Sequence, residues 1–237
     1  MPGKVVAGPE EALSDLRDGA VIMVGGFGLC GTPENLLAAV RAKGVKNLTL
    51  VSNNGGTDEH GNGQLIKNGQ VKKMIMSYGG ECKAFEEMAL AGTLQVEWNP
   101  QGTLAERIRA GGAGIGGFFT PTGYGTLVAE GKETRVIDGR NYVFEKPLRA
   151  DFAFVKAWRG DRAGNLVFRK TSRNFNQVMA TAAKVVIAEV EKLVEPGELD
   201  PDSVHTPGIF VDRIFQGAKY VKPIEKRTVR PRAGAAA

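Results

Sequence analysis

The chain has 237 residues, of which 42% are hydrophobic and 24% are charged, a balance that excludes an intrinsically disordered protein. The net charge of +5 lies in a basic tail, residues 219–237, because positions 1–218 hold 25 basic and 25 acidic residues. We therefore predict one domain over 1–218 that lacks the basic face by which proteins bind nucleic acid.

Strand and helix patterns alternate along the first half of the chain. Acids that follow Pro9 predict a first helix, and the apolar run 21–24 predicts a strand buried on both faces. Thr32 is the expected N-cap of a second helix, with Pro33 at its first position. Further strands are predicted over 48–52, 74–76 and 94–97, and further helices over 85–91 and 103–109.

The pattern changes after Gly111. Residues 135–144 predict a β-hairpin, because Asp138-Gly139 suits a two-residue turn. More strands are expected over 151–158, 165–169 and 185–190, with a helix over 175–183. The predicted fold class is α/β, with a mostly parallel sheet flanked by helices and a β-hairpin insertion.

A glycine loop between the first strand and the second helix has two interpretations. Residues 26–31 match Gly-x-Gly-x-x-Gly, the pattern of dinucleotide-binding loops. Such sites also place an acid at the end of the next strand, where this chain has Asn53 and Asn54. The loop therefore suits an anionic group or the backbone of another chain, and a nucleotide-binding regulatory module is the alternative of a different class.

Other reactive residues favour structural roles. The two cysteines, Cys30 and Cys82, cannot build a disulfide framework, and we expect Cys30 to be a small buried thiol. We expect residues 58–60 to form a solvated loop, and no metal site is predicted. Glu189 and Glu191 share one strand face, and we expect a surface pair. No apolar run reaches the ~20 residues that span a bilayer, so we expect a soluble, cytoplasmic protein with no membrane partner.

Five blocks of sequence resemble the coenzyme A transferases of the 3-oxoacid type. The resemblance extends over nearly the whole chain, and its longest block opens with Asp-Gly, a hydrophobic run and Gly-Gly-Phe. The blocks are residues 18–33, 51–56, 100–114, 120–126, and 173–176 with 205–209.

The resemblance implies the A half of a transferase whose active site is built by two homologous halves. In that family the nucleophilic glutamate belongs to the B half, in a Ser-Glu-Asn-Gly motif that this chain lacks. Glu34 is then an acid in the first turn of a helix and not the nucleophile. The implied reaction moves coenzyme A from succinyl-CoA to a 3-oxoacid such as acetoacetate, through an acyl-glutamyl anhydride and an enzyme–CoA thioester. It implies the B half as a partner in a hetero-oligomer and no cofactor, with the coenzyme A thioester as substrate.

The resemblance also implies the residues of the site. Asn53, Asn54 and Gln101 match the polar positions that orient the acyl carboxylate and the thioester, although Asn-Asn-Gly-Gly is also a turn former. The glycine loop is the candidate contact for coenzyme A or for the B half, and tight helix-on-sheet packing is its alternative. Its residues are Gly25, Gly26, Phe27, Gly28, Leu29, Cys30 and Gly31.

Two further predictions remain open. Residues 111–117 and 123–125 are expected to line the cleft shared with the B half. The A half of a 3-oxoadipate or acetate-type transferase is the alternative within the same class, because the acceptor pocket depends on both halves.

Overall fold

A parallel sheet forms the centre of the protein, whose computed structural model describes residues 3–221. The strands are β1 (Val21–Val24), β2 (Leu48–Val51), β3 (Val71–Met76), β4 (Gln95–Trp98), β5 (Phe118–Thr120), β6 (Thr134–Ile137), β7 (Arg140–Glu145), β8 (Ala150–Asp161), β9 (Leu166–Val167), β10 (Ala183–Val194) and β11 (Arg213–Gln216). In the central sheet they run in the order β11-β10-β8-β1-β2-β3-β4, all parallel, and β9 pairs antiparallel with β8. The predicted mostly parallel α/β fold is confirmed.

Helices cover both faces of this sheet. They are α1 (Pro9–Ala12), α2 (Glu34–Lys43), α3 (Gly63–Lys67), α4 (Lys83–Leu90), α5 (Gln101–Ala113) and α6 (Asn174–Met179). The side chains of β1 alternate between two hydrophobic clusters, with Ile22 and Val24 in one and Met23 in the other. The first cluster packs against α1 to α4, and the second packs against α5 and α6. Burial on both faces explains the uninterrupted apolar run of β1.

The predicted hairpin forms a separate small sheet. Strands β6 and β7 pair antiparallel, and β5 joins them in the order β5-β7-β6. Asp138 and Gly139 have φ angles of 49° and 74°, as a two-residue turn with left-handed central residues requires. The hairpin insertion is therefore confirmed, and it lies between α5 and β8 along the chain.

Several boundaries differ from the predictions. Helix α2 begins at Glu34 with Pro33 as N-cap, so Thr32 is not the cap. Helix α3 was not predicted, and α5 begins two residues earlier than expected. Strands β8 and β10 have 12 residues each, whereas the predicted strand over 165–169 has only two.

The described part of the basic tail belongs to the folded structure. Lys219, Tyr220 and Val221 line a cavity at the central sheet, while residues 222–237 lie outside the described range. Among residues 3–221, no helix has the length and apolar character needed to cross a membrane.

Candidate active site

The topology of the central sheet creates a crevice between β1 and β8. From β1 the chain proceeds outward through β2, β3 and β4, and it later returns to the other side of β1 at β8. In open parallel sheets, ligands bind at such a change of direction, beyond the carboxyl ends of the strands. A cavity of about 850 Å³ lies there, lined by the segments that follow β1, β2 and β3.

Asn53, Asn54 and Gln101 come together in this cavity. Gln101 Nε2 donates to Asn53 Oδ1 at 2.7 Å, and Asn53 Nδ2 donates to Asn54 Oδ1 at 3.2 Å. The Asn54 oxygen also accepts the backbone N–H of Gly28 at 3.0 Å. The two asparagines are 3% and 7% exposed. These three predicted residues therefore form one chain of neutral hydrogen-bonding groups, which we call the amide wall.

The backbone explains why these side chains meet. Asn53 and Asn54 follow β2 after a single residue, and Gln101 is the first residue of α5, shortly after β4. The carboxyl ends of neighbouring parallel strands meet at one edge of a sheet, which brings Gln101 to Asn53 across 48 positions of sequence. Asn62 Nδ2 donates to the Asn54 carbonyl oxygen at 2.9 Å and ties down the loop after β2.

The amide wall has a definite chemical capacity. A side-chain amide carries two N–H donors and no charge. Gln101 and Asn53 each use one donor within the wall, so each has a second to offer a ligand. Neutral donors fixed in place stabilise an oxyanion, and they hold one carboxylate without repelling another.

Three glycines of the first loop are needed for packing. A Cβ on Gly25 would lie 2.7 Å from Asn176 Cγ, and one on Gly31 would lie 2.7 Å from the Ser172 carbonyl oxygen. A Cβ on Gly26 would lie 3.2 Å from Thr32 Cα, and its φ angle of 118° is one that residues with a side chain rarely adopt. The packing interpretation therefore accounts for Gly25, Gly26 and Gly31.

The middle of the loop faces the cavity instead. The backbone N–H groups of Phe27 and Cys30 each donate to the carbonyl oxygen of the other, at 3.1 and 3.0 Å. This tight turn leaves Phe27 half-exposed, while Leu29 is buried. Gly28, with a φ angle of 58°, presents its N–H to Asn54. The loop thus joins the amide wall through Gly28.

A methyl group at Gly25 tests the packing role. We expect Gly25→Ala to lower the free energy of unfolding by about 1–3 kcal/mol, because the added Cβ overlaps the buried Asn176 side chain. Urea unfolding measures the change. Gly116→Ala is the matched control, since a Cβ there meets nothing within 4 Å. Equal stabilities of the two variants would contradict the packing assignment.

The prediction that Cys30 is a buried thiol is wrong. Cys30 is exposed and lines the cavity, with Sγ 3.4 Å from Thr171 Oγ1. In the tight turn between Phe27 and Cys30, Leu29 is the buried side chain and Cys30 is exposed. Cys82 is the buried thiol, and burial raises its pKa to about 11.

The prediction of a surface pair at Glu189 and Glu191 is also wrong. Glu189 is fully buried, and Glu191 lines the cavity in an ion pair with Lys156. Lys156 is 9% exposed and lies opposite Glu189 in the pairing of β8 with β10. The sequence analysis did not predict this part of the site. The sequence feature that indicates it is Lys156, a charged residue within the apolar strand 152–157.

Glu189 takes the place of the expected cap of α2. Its carboxylate accepts the backbone N–H of Leu36 at 2.9 Å and Asn35 Nδ2 at 3.1 Å. An acid at a helix N-terminus complements both the free amides and the helix dipole. Burial raises the pKa of Glu189 to about 7, although these hydrogen bonds and the charge of Lys156 oppose the rise.

Glu34 lies in the first turn of α2, as predicted. Its carboxylate accepts the backbone N–H of Gly61 at 2.8 Å and Gln64 Nε2 at 3.0 Å, so it holds the loop after β2 against the helix. Burial raises the pKa of Glu34 above its ordinary value.

The geometry disfavours nucleotide binding at the glycine loop. A dinucleotide site uses the amides of the loop and of the first helical turn for pyrophosphate. Here the Gly28 N–H is bonded to Asn54 and the Leu36 N–H to Glu189. Internal acceptors therefore occupy two of the donors that such a ligand would need.

Other predicted positions lie outside this cavity. A Cβ on Gly111 would meet the Leu148 carbonyl group, so packing accounts for this glycine, and residues 123–125 are not among those that line the cavity. Asp58 Oδ1 accepts the Ala84 N–H at 2.9 Å at the start of α4, whereas Glu59 is exposed. Between residues 3 and 221, no three His, Cys, Asp or Glu side chains form a group that could hold a metal ion.

Comparison with known sequences identifies the family. The family described as Coenzyme A transferase matches residues 6–217. The chain is 61% identical over 215 residues to the A half of the succinyl-CoA:3-ketoacid coenzyme A transferase of Xanthomonas campestris, covering 91% of this chain and 89% of the relative. It is 53% identical over 227 residues to the corresponding half of the Helicobacter pylori enzyme, covering 96% of this chain and 98% of the relative. In both bacteria this half is a separate subunit.

A solved structure shares the fold. The crystal structure of an acyl-CoA transferase from Escherichia coli O157:H7, in a thioester complex with CoA, matches with a TM-score of 0.83 at 24% identity. The match covers 93% of this chain and 48% of that one, so this chain spans about half the length of the Escherichia coli protein.

Proposed function

Because the chain belongs to the coenzyme A transferase family, we propose that it is the A half of a succinyl-CoA:3-ketoacid coenzyme A transferase and works with a separate B half. The observation that carries the proposal is the amide wall. Asn53, Asn54 and Gln101 supply uncharged donors at the carboxyl edge of the sheet, which a transfer between two carboxylates requires. The names of the bacterial relatives support the substrate pair and a partner subunit.

The proposed reaction is a covalent relay that begins at a glutamate of the partner. Its carboxylate attacks the acyl carbon of succinyl-CoA, the carbon–sulfur bond breaks, and an acyl-glutamyl anhydride and the coenzyme A thiolate result. The thiolate attacks the glutamyl carbonyl, which releases succinate and leaves an enzyme–CoA thioester. The 3-oxoacid carboxylate then reverses these steps and leaves as its coenzyme A ester. Splitting one difficult transfer into easier ones is the advantage of covalent catalysis.

Residues of this chain stabilise the negative charges that form during the reaction. Each tetrahedral intermediate carries an oxyanion, to which the second N–H groups of Asn53 and Gln101 are suited to donate hydrogen bonds. Neutral amides also allow a substrate carboxylate to approach the attacking carboxylate. No step needs a metal ion or an organic cofactor, because the carboxylate and the thiolate are the nucleophiles. We place the reaction in a cytoplasmic hetero-oligomer.

The proposal is tested by assaying the chain alone and with its partner subunit. We expect the chain alone to transfer no coenzyme A from succinyl-CoA to acetoacetate, and the co-expressed complex to do so with ping-pong kinetics. Borohydride reduction of the complex incubated with succinyl-CoA should mark a glutamate of the partner subunit. Turnover by the chain alone, or a mark on a glutamate of this chain, would overturn the half-site assignment. A panel with acetate and 3-oxoadipate as acceptors separates the related transferases.

A further inference from the structure

A charged wall faces the same cavity as the amide wall. We define it by Lys156 of β8, Glu191 of β10, and Arg169 and Lys170 from the turn after β9, all of which line the cavity. The amide wall carries no charge, whereas this wall carries three cations and one carboxylate. The two walls therefore differ in what they can bind.

Lys156 is held firmly within the charged wall. Its ammonium group pairs with Glu191 and lies 5.0 Å from the centre of the Tyr220 ring. Its backbone N–H donates to Asn176 Oδ1 at 2.9 Å. Tyr220 is fixed in turn, since its hydroxyl group donates to the Val190 carbonyl oxygen at 2.9 Å. The result is a nine-tenths buried cation with a fixed position beside the cavity.

The carboxylate of Glu191 interacts with two of these cations. Glu191 Oε1 pairs with Lys156, and Glu191 Oε2 is 4.0 Å from Arg169 Nη2. Arg169 also lies over the Trp158 ring, 5.7 Å from its centre. Glu191 carries one negative charge and contacts two positively charged groups, so these three side chains together carry a net positive charge. A second carboxylate from a ligand would balance that charge.

The structure of an acyl-CoA indicates the source of such an anion. The cavity of about 850 Å³ has room for an acyl group and the adjoining part of the pantetheine arm. The phosphates of coenzyme A lie at the far end of that arm from the thioester. An acyl group whose thioester lies at the amide wall therefore brings its own distal group to the charged wall.

We propose that the charged wall binds the second carboxylate of a dicarboxylic acyl group, with Lys156 as the specificity-determining cation. The inference rests on the proposed function and deepens it. A short dicarboxylic thioester, such as succinyl-CoA, is anchored at both ends, whereas a 3-oxoacyl thioester, which has no second carboxylate, is anchored only at the amide wall.

The test compares four substrates in the complex with the partner subunit. For Lys156→Met we expect the KM of succinyl-CoA and of succinate to rise about 10- to 100-fold, the range of a lost hydrogen bond between charged groups. The KM of acetoacetyl-CoA and of acetoacetate should stay within twofold of the unmodified complex. Lys73→Met is the matched control, because Lys73 is also a strand lysine in an ion pair, with Glu97, outside this cavity.

Glu191→Gln gives an effect of opposite sign. It removes the carboxylate that competes for Lys156, so we expect the KM of succinate to fall, and this variant decides the matter if Lys156→Met does not fold. A rise of KM in both variants, or equal changes for dicarboxylic and monocarboxylic substrates, would overturn the inference. A rise confined to the two coenzyme A esters would indicate phosphate binding and would also overturn it. An unmodified complex without transferase activity would refute the proposed function instead.

Discussion

Asn54→Asp should lower kcat by about 10²- to 10³-fold while the chain keeps its fold. The variant retains an oxygen that can accept the N–H of Gly28 and the amide of Asn53. It loses the N–H donor that contacts the Gly28 carbonyl oxygen at 3.4 Å and adds a negative charge at the amide wall. That charge opposes the oxyanion beside Asn53 and Gln101, at a cost similar to that of removing one oxyanion donor, and repulsion of the substrate carboxylate adds to it.

Steady-state kinetics of the complex and thermal unfolding of the chain measure the two effects. Asn141→Asp is a suitable control, because Asn141 is exposed on β7 and does not line the cavity. Rates for Asn54→Asp within threefold of the unmodified complex would remove Asn54 from the site. A large loss of stability together with the loss of rate would assign Asn54 a structural role.

Glu189→Ala should lower the free energy of unfolding by about 2–4 kcal/mol. The change leaves the Leu36 N–H without its acceptor in the core and removes a buried side chain. Glu189→Gln keeps the volume and one acceptor for Leu36, so we expect a much smaller loss. Urea unfolding of both variants at several pH values measures these differences.

The dependence on pH separates the charge of Glu189 from its packing. Its pKa rises from 4.5 in the unfolded chain to about 7 in the folded protein, mainly because of burial. The neutral acid therefore stabilises the fold below about pH 4.5, and this contribution is lost as the pH rises towards 7. The difference corresponds to about 3 kcal/mol. Between pH 4.5 and 8, Glu189→Gln should gain about that much relative to the unmodified chain, and a pH-independent difference would contradict the assignment.

Local sequence patterns predicted those strands and turns whose conformation depends on residues close in sequence. The apolar run of β1 and the Asp138-Gly139 turn are confirmed, because strand burial and turn geometry follow from residues close in sequence. Strand β10 is twice as long as expected, because β8 pairs with it as far as Val194 and Lys156 of β8 forms an ion pair with Glu191. No local pattern contains that information.

In the candidate site too, some residues could be predicted from the sequence and others depend on partners distant in sequence. The amide wall was predicted because the family blocks include Asn53, Asn54 and Gln101, and the structure brings all three together. The charged wall was not predicted. Thr32 was the expected cap of α2, whereas the acceptor for the Leu36 N–H is Glu189, which lies 153 positions after Leu36 in the sequence. Such partners are fixed by strand order, which a single sequence does not specify.

The order of strands has a consequence for folding kinetics. Strands β1 to β4 pair with neighbours that precede or follow them closely, whereas Ile22 of β1 pairs with Phe152 of β8 only after a long loop closes. Contacts of high contact order form late, because loop closure costs entropy before they stabilise the chain. During synthesis residues 21–101, which include Asn53 and Gln101, leave the ribosome before β8 does, so the crevice between β1 and β8 cannot form until β8 has been made.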